Sequence, residues 1–277
     1  MIRVELRKLA LRPRTWLTLL LLNLLPTVVA VLLAVTDLGP RPGTGPAFLS
    51  AVLSNGSLFS VAALAIVLPL FLPIAVAVIA GDSIAGEAQG GTLRYLLARP
   101  VGRTRLLVAK LVVVLVFTFT AVALVAGIGF LVGILTLGGR PVTASTSIST
   151  SIISVSGSLL SPGQIALRVV VSVGYVALSM LGVAALALLL STFTDSPLAA
   201  TLGAIAFLIG SSLLLTLDAA RALQPYLPTR YWLSFIDLFR DPILWRDVER
   251  GALLQLVYVV VFLGAAWANF STKDVTS

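Results

Sequence analysis

Residues 106–137 read LLVAKLVVVLVFTFTAVALVAGIGFLVGILTL. Beyond Lys110 this run holds no Asp, Glu, Lys or Arg. About 20 apolar residues in a helix cross the ~30 Å hydrocarbon core of a bilayer. A helix that is apolar on every side has no face to turn toward water. The alternation that marks the strand of a membrane barrel is missing. We therefore read the stretch as a membrane-crossing helix. It is long for one crossing, so it either starts in the cytoplasmic interface or leans.

Five further runs pass the same test, at 16–35, 58–80, 169–190, 198–217 and 252–270. They account for the composition of the whole chain, which has 277 residues, 58% of them apolar and 11% charged. Its mean hydropathy is +1.08. Soluble domains hold roughly 45–50% apolar and about 25% charged residues. A soluble enzyme, a soluble binding module and a disordered chain are all excluded. The expected fold class is an all-α membrane protein of six spans, in one domain over 1–277. The first run is full length and no small-residue cleavage site follows it, so no cleavable signal peptide is expected.

Several chemistries are excluded by absence. The sequence contains neither His nor Cys. Zinc sites on imidazole or thiolate, His-ligated haem, His-dependent triads and disulfides are ruled out. None of the three lysines follows a glycine, so no G-x-x-x-x-G-K-[ST] loop exists. No catalytic residue and no metal ligand is assigned, and the chain is not expected to be an enzyme. No ionisable group lies near the middle of any span. Ion-coupled transporters usually carry one there, so secondary active transport is disfavoured. The spans do hold Asn23, Pro26, Pro69, Pro73, Ser172 and Ser179. Gly129 and Gly133 form a G-x-x-x-G pair, and Ala123 and Gly127 repeat its spacing one turn earlier. Such pairs let helices approach closely, within one subunit or across a dimer seam.

The net charge is +8. In a membrane protein this encodes orientation rather than nucleic-acid binding. Arg3, Arg7, Lys8, Arg12 and Arg14 precede span 1, and Arg94, Arg99, Arg103, Arg105 and Lys110 lie around the loop after span 2. The positive-inside bias puts both termini in the cytoplasm. Segment 218–250 carries five Arg on the opposite side, matched by Asp218, Asp237, Asp241, Asp247 and Glu249.

Residues 1–14 read as a helix lying on the membrane, with Ile2, Leu6, Leu9 and Ala10 on one face and Arg3, Arg7 and Lys8 elsewhere. Pro13 should turn the chain into span 1. The segment either fixes topology alone or also touches a cytoplasmic partner. Loop 81–105, GDSIAGEAQGGTLRYLLARPVGRTR, is the most informative. Asp82 and Glu87 are expected to extend span 2 into water. Gly90 and Gly91 should break that helix. Thr92 can cap a new short helix with Leu93, Leu96 and Leu97 on one face and Arg94 on another, ended by Pro100 and Gly102. This helix either docks into a partner protein or forms a solvated turn. Residues 143–161 allow a surface amphipathic helix through Ile148, Ile152, Val155 and Leu159, or a low-complexity loop. Ser161-Pro162 and Ser196-Pro197 should start spans 4 and 5. Segment 218–250, with Tyr226, Tyr231, Trp232, Phe235, Phe239 and Trp245, should form short helices on or in the outer leaflet. Its Asp237, Asp241 and Asp247 balance nearby arginines or bind a metal or head group.

The run Glu87-x-x-x-Gly91-Thr92-Leu93-Arg94, then Leu96-Leu97, Pro100-x-x-Arg103 and Lys110, resembles the signature of ABC-2-type transporter permeases. Their layout of interfacial helix, six spans, coupling helix after span 2 and polar external region before span 6 is similar over the whole chain. The ending Phe270-Ser-Thr-Lys273-Asp274-Val275 also looks like the close of many such permeases. The doubled Gly90-Gly91 departs from the pattern. The resemblance implies a plasma-membrane exporter subunit. Two copies of a separate ATPase, which bind the ATP and Mg, and a second permease chain, identical or related, complete it. It implies an ATPase-coupling element of Asp82, Glu87, Gly91, Thr92, Leu93, Arg94, Leu97, Pro100 and Arg103, and an interfacial helix carrying Arg3, Leu6, Arg7 and Lys8. A passive channel or facilitator without an ATPase is the alternative, and an intramembrane lipid-modifying enzyme is a third.

Overall fold

The computed structural model describes residues 2–36, 56–91, 102–137, 152–153 and 159–272. These residues form eight α-helices, five of them ended or started where the sequence punctuates. Helix α1 (Ile2–Leu11) stops before Pro13, which opens α2 (Pro13–Thr36). Helix α3 (Phe59–Val67) follows a 3-10 turn at Gly56–Leu58. Then come α4 (Phe71–Gln89), α5 (Arg103–Leu137), α6 (Pro162–Phe193), α7 (Pro197–Leu214) and α8 (Trp245–Thr272). Six of them, α2 and α4 to α8, are long and apolar enough to cross a membrane.

The second span departs from the single helix expected over 58–80. It is two helices joined at residues 68–70. Pro69 and Pro73 lack the amide protons that would continue the ladder across the joint. Leu68 N–H still donates to the Leu64 carbonyl at 2.9 Å, and Ile74 N–H to that of Leu70 at 3.2 Å, so the break stays local. The nine residues of α3 are too short to cross, and α4 runs on to Gln89 instead of ending near residue 80. Gly90 ends it, and Gly91 takes φ 66°, a left-handed value that suits glycine, as the Gly-Gly step predicts.

Both Ser-Pro steps start helices as expected. The Ser161 hydroxyl accepts from Gln164 N–H, and the Gln164 side chain accepts from Ser161 N–H, a complete capping box. Ser196 accepts from Ala199 N–H at 3.3 Å. Helix α6 is the hub and packs on α4, α5, α7 and α8. Its Val176, Met180, Ala184 and Ala187 are buried in a core shared with Leu64, Leu72, Phe117 and Val122. The outward faces of α2, α5 and α8 stay apolar, with Val35 77%, Leu135 82% and Val260 70% exposed. That is a lipid-facing surface and would not persist in water.

Gly129 and Gly133 serve contacts inside the chain. A Cβ at Gly129 would lie 2.7 Å from the Ala63 Cβ, and one at Gly133 would lie 2.1 Å from the Gly56 carbonyl oxygen. Gly127, the earlier repeat of the spacing, meets nothing.

At one end of the bundle lie α1, the start of α5, the ends of α4, α6 and α8, and the start of α7. At the other, Ile152–Ile153 pairs antiparallel with Leu159–Leu160. This replaces the helix that 3–4 spacing allowed for Ile152 and Leu159. Segment 218–250 forms 3-10 turns at Asp218–Ala220, Gln224–Tyr226 and Trp232–Phe239 before α8 begins at Trp245. Trp232, Phe235 and Phe239 are buried, whereas Tyr226 and Trp245 are exposed. Tyr175 O–H donates to the Tyr231 carbonyl at 2.6 Å, and Gln255 Nε2 to that of Pro228 at 2.7 Å, so neutral hydrogen bonds fix this cap.

Candidate functional site

The N-terminal helix is held in place by charge. Glu5 lies on the face of α1 turned toward α5, and it is 6% exposed. Leu6 and Leu9 flank it half-buried, while Arg3 and Arg7 are exposed. The helix expected over this segment is present, and its face toward the bundle is not wholly apolar. Ile2 and Ala10 face outward, and the buried residue is an acid.

Lys110, two turns inside α5 and 5% exposed, donates to Glu5 Oε2 at 2.7 Å. It also pairs with Glu87 Oε1 on α4. Lys8 Nζ reaches Glu5 Oε1 at 3.2 Å and Glu87 Oε1 at 3.5 Å. Two lysines and two carboxylates from three helices therefore form one network. Burial by itself would raise the Glu5 carboxyl, but the hydrogen bonds and charges of Lys110 and then Lys8 outweigh it and hold Glu5 below its ordinary 4.5.

A second pairing lies beside the first. Arg12 Nη1 donates to Asp82 Oδ2 at 2.9 Å, and Arg14 pairs with the same oxygen. Asp82 is set on α4 by a close crossing. Ser191 Oγ on α6 donates to the Gly81 carbonyl at 2.7 Å and accepts from Ala85 N–H at 2.8 Å and Ile84 N–H at 3.2 Å. Gly81 has no room for a side chain, since a Cβ would stand 2.7 Å from Thr201 Oγ1 on α7. Together the two clusters line a cleft of about 530 Å³ between α1, α2, α4 and α5.

This corrects the expectation that Asp82 and Glu87 extend into water. Glu87 is 7% exposed, and both carboxylates are paired with residues of the N-terminal segment. Arg103 is placed apart from the cleft. It donates to the carbonyls of Phe270 at 3.4 Å and Ser271 at 2.9 Å, at the C-terminal end of α8, where a cation favours the helix dipole. Trp267 Nε1 donates to Thr104 Oγ1 at 3.0 Å beside it. Gly91 ends the described part of the loop, and Thr92, Leu93, Arg94, Leu97 and Pro100 lie outside the described residues. Glu5 was the residue sequence reading missed. Its signal was that it is the single acid among five basic residues in 1–14. No group of three His, Cys, Asp or Glu among the described residues is placed to hold a metal.

A family profile matches residues 24–276, from the middle of α2 to beyond α8. The chain belongs to this family, DUF2705, a group described as proteins of unknown function. No curated protein matches the chain. The DUF2705 match includes Asp82, Glu87 and Lys110 and begins after Glu5, Lys8, Arg12 and Arg14. The Lys8–Glu87, Lys110–Glu5, Arg12–Asp82 and Arg14–Asp82 pairs thus join the matched region to the segment before it.

Proposed function

We propose that this DUF2705 chain is the permease subunit of an ABC exporter of the ABC-2 type. The observation that carries the reading is the base of loop 92–101. Its signature residues hang from a glycine joint at the end of α4, and Glu87 immediately before that joint is ion-paired to α1 and α5. On this reading the loop carries the coupling helix, and α1 is the interfacial helix on the cytoplasmic surface. A push on the loop then moves α1, α4 and α5 together instead of bending one helix. Both termini are cytoplasmic, and ATP and Mg belong to a separate ATPase. Two such ATPases and a second permease chain complete the exporter in the cell membrane. Glu87 does not face the ATPase on this account. It locks the base, and Arg94 makes the contact.

The test is whether a separate P-loop ATPase co-purifies with the tagged chain. Retention of the ATPase, lost on Arg94→Glu with membrane insertion intact, supports the reading. Passive solute flux through liposomes holding this chain alone, with no ATPase ever retained, overturns it in favour of a channel.

A further inference from the structure

We infer that the start of α2 binds a phosphate group, supplied by the head group of an anionic lipid. Four cations line the cleft, Lys8, Arg12, Arg14 and Lys110, against the three carboxylates of Glu5, Asp82 and Glu87. Lys8 and Lys110 offset Glu5 and Glu87. Two guanidiniums then share one oxygen of Asp82, which leaves one positive charge in excess. A guanidinium has five N–H donors in a planar fork that suits phosphate. Each of these two uses one nitrogen on Asp82, and their side chains are 44% and 49% exposed. A phosphodiester carries the single negative charge that the excess matches.

The helix itself adds to the pull. The first turn of α2 contains no acid, and its N-terminal end is the positive end of a 24-residue dipole. Thr15 in that turn lines the cleft and is 4% exposed, yet its hydroxyl has no hydrogen-bond partner. A helical Thr ordinarily bonds the carbonyl four residues back. Here that residue is Leu11, the last of α1, on the far side of the Pro13 joint. The buried hydroxyl is left for a ligand. Just beyond, Trp16 is 61% and Leu20 60% exposed, and the Trp16 indole N–H is fixed on the Ala10 carbonyl at 2.7 Å. Acyl chains would lie on this apolar face directly below the bound phosphate, which favours a lipid over a soluble anion.

The experiment uses the full chain purified in neutral detergent, with lipid retention read by native mass spectrometry. Phosphatidylglycerol, phosphatidylcholine and inorganic phosphate are the probes. Phosphatidylglycerol should bind about tenfold more tightly than phosphatidylcholine, as one charge-assisted hydrogen bond implies. Thr15→Val, which keeps charge and volume, should weaken phosphatidylglycerol by roughly tenfold. Arg14→Gln should weaken it further, and Arg221→Gln at the opposite end should leave it unchanged. Displacement of the lipid by millimolar inorganic phosphate would keep the phosphate site but assign it to a soluble ligand. Equal retention of the two lipids with inert phosphate overturns the site, as does wild-type retention in Thr15→Val. Should Arg14→Gln fail to fold, Thr15→Val decides.

Discussion

Replacing Lys110 by Met isolates the value of the buried network. Met keeps the length and apolar stem of the side chain and removes its charge. Two carboxylates, 8% and 9% exposed, then lose their closest cation. Breaking a buried pair on one side destabilises by about 3–5 kcal/mol, because a buried charge is left uncompensated. Lys8 stays at 3.2 and 3.5 Å, but its side chain is 44% exposed. A pair with such a partner contributes only about 0–1 kcal/mol. Taking about 1 kcal/mol for Lys8 off the middle of the first range leaves an expected loss of about 3 kcal/mol. At about 2–4 °C per kcal/mol for a chain of this size, the melting temperature falls by roughly 6–12 °C.

The pH dependence gives this prediction its sign. Glu5 is held below its ordinary 4.5 in the folded chain. Its pairing therefore stabilises fully above that value and is lost as pH falls through the folded one. The variant lacks most of this contribution. The gap between wild type and Lys110→Met should be widest at neutral pH and narrow below 4.5. Thermal unfolding followed by tryptophan fluorescence in detergent measures it. Adding Glu5→Gln to Lys110→Met should cost less than the sum of the two single losses, with a coupling of about 1–3 kcal/mol. A melting temperature within a degree or so of wild type at neutral pH, or a gap that stays constant into acid, would refute the reasoning.

Gly133→Ala should destabilise by about 1–3 kcal/mol, since its Cβ meets the Gly56 carbonyl oxygen at 2.1 Å. Gly127→Ala, which meets nothing, should be neutral or stabilising by up to about 1 kcal/mol, and thermal unfolding of the pair separates packing from propensity. Ser191→Ala leaves the Ile84 and Ala85 amides and the Gly81 carbonyl without their shared hydroxyl, and should cost about 1–3 kcal/mol. Hydrogen exchange should then rise at residues 84 and 85 before it rises elsewhere in α4, and uniform protection would count against the clamp.

The six long helices were legible because hydropathy over 20 residues is a local property that lipid enforces. Caps were legible for the same reason, since Ser161 and Ser196 act within three residues of themselves. The break at 68–70 was half legible. Pro69 and Pro73 marked a kink, but only the nine-residue length of the first helix, seen in the fold, tells that this piece does not cross alone. The fate of Asp82 and Glu87 was not legible. Lys110 stands 23 residues after Glu87 and their other partners 68 to 79 residues earlier, and no local pattern distinguishes a solvated acid from one awaiting a distant cation. The Arg103 contact with α8 spans 167 and 168 residues and was equally hidden.

The two ends of the bundle are built on different physics. At one end the ion pairs join helices far apart in sequence, as Lys110 does to Glu5 and Arg14 to Asp82. At the other, Arg221 with Asp218 and Arg240 with Asp237 are exposed or half-exposed pairs three residues apart, which tie nothing together. There, among the described residues, the buried fixing contacts are neutral, from Tyr175, Gln255 and the Ser211–Thr229 hydroxyl pair at 2.8 Å, and the Arg168 guanidinium adds one exposed hydrogen bond to the Arg240 carbonyl at 2.9 Å. Charge held between helices can be disturbed by an approaching charge, whereas a buried neutral hydrogen bond is little affected by one. On the proposed reading, a charged partner or lipid acts at the end carrying α1 and the end of α4, while the aromatic cap at 218–239 stays set. On the proposed exporter reading, a subunit energised from one face uses that asymmetry. The scarcity of charge in the sequence therefore matters less than its placement in long-range pairs around a single cleft.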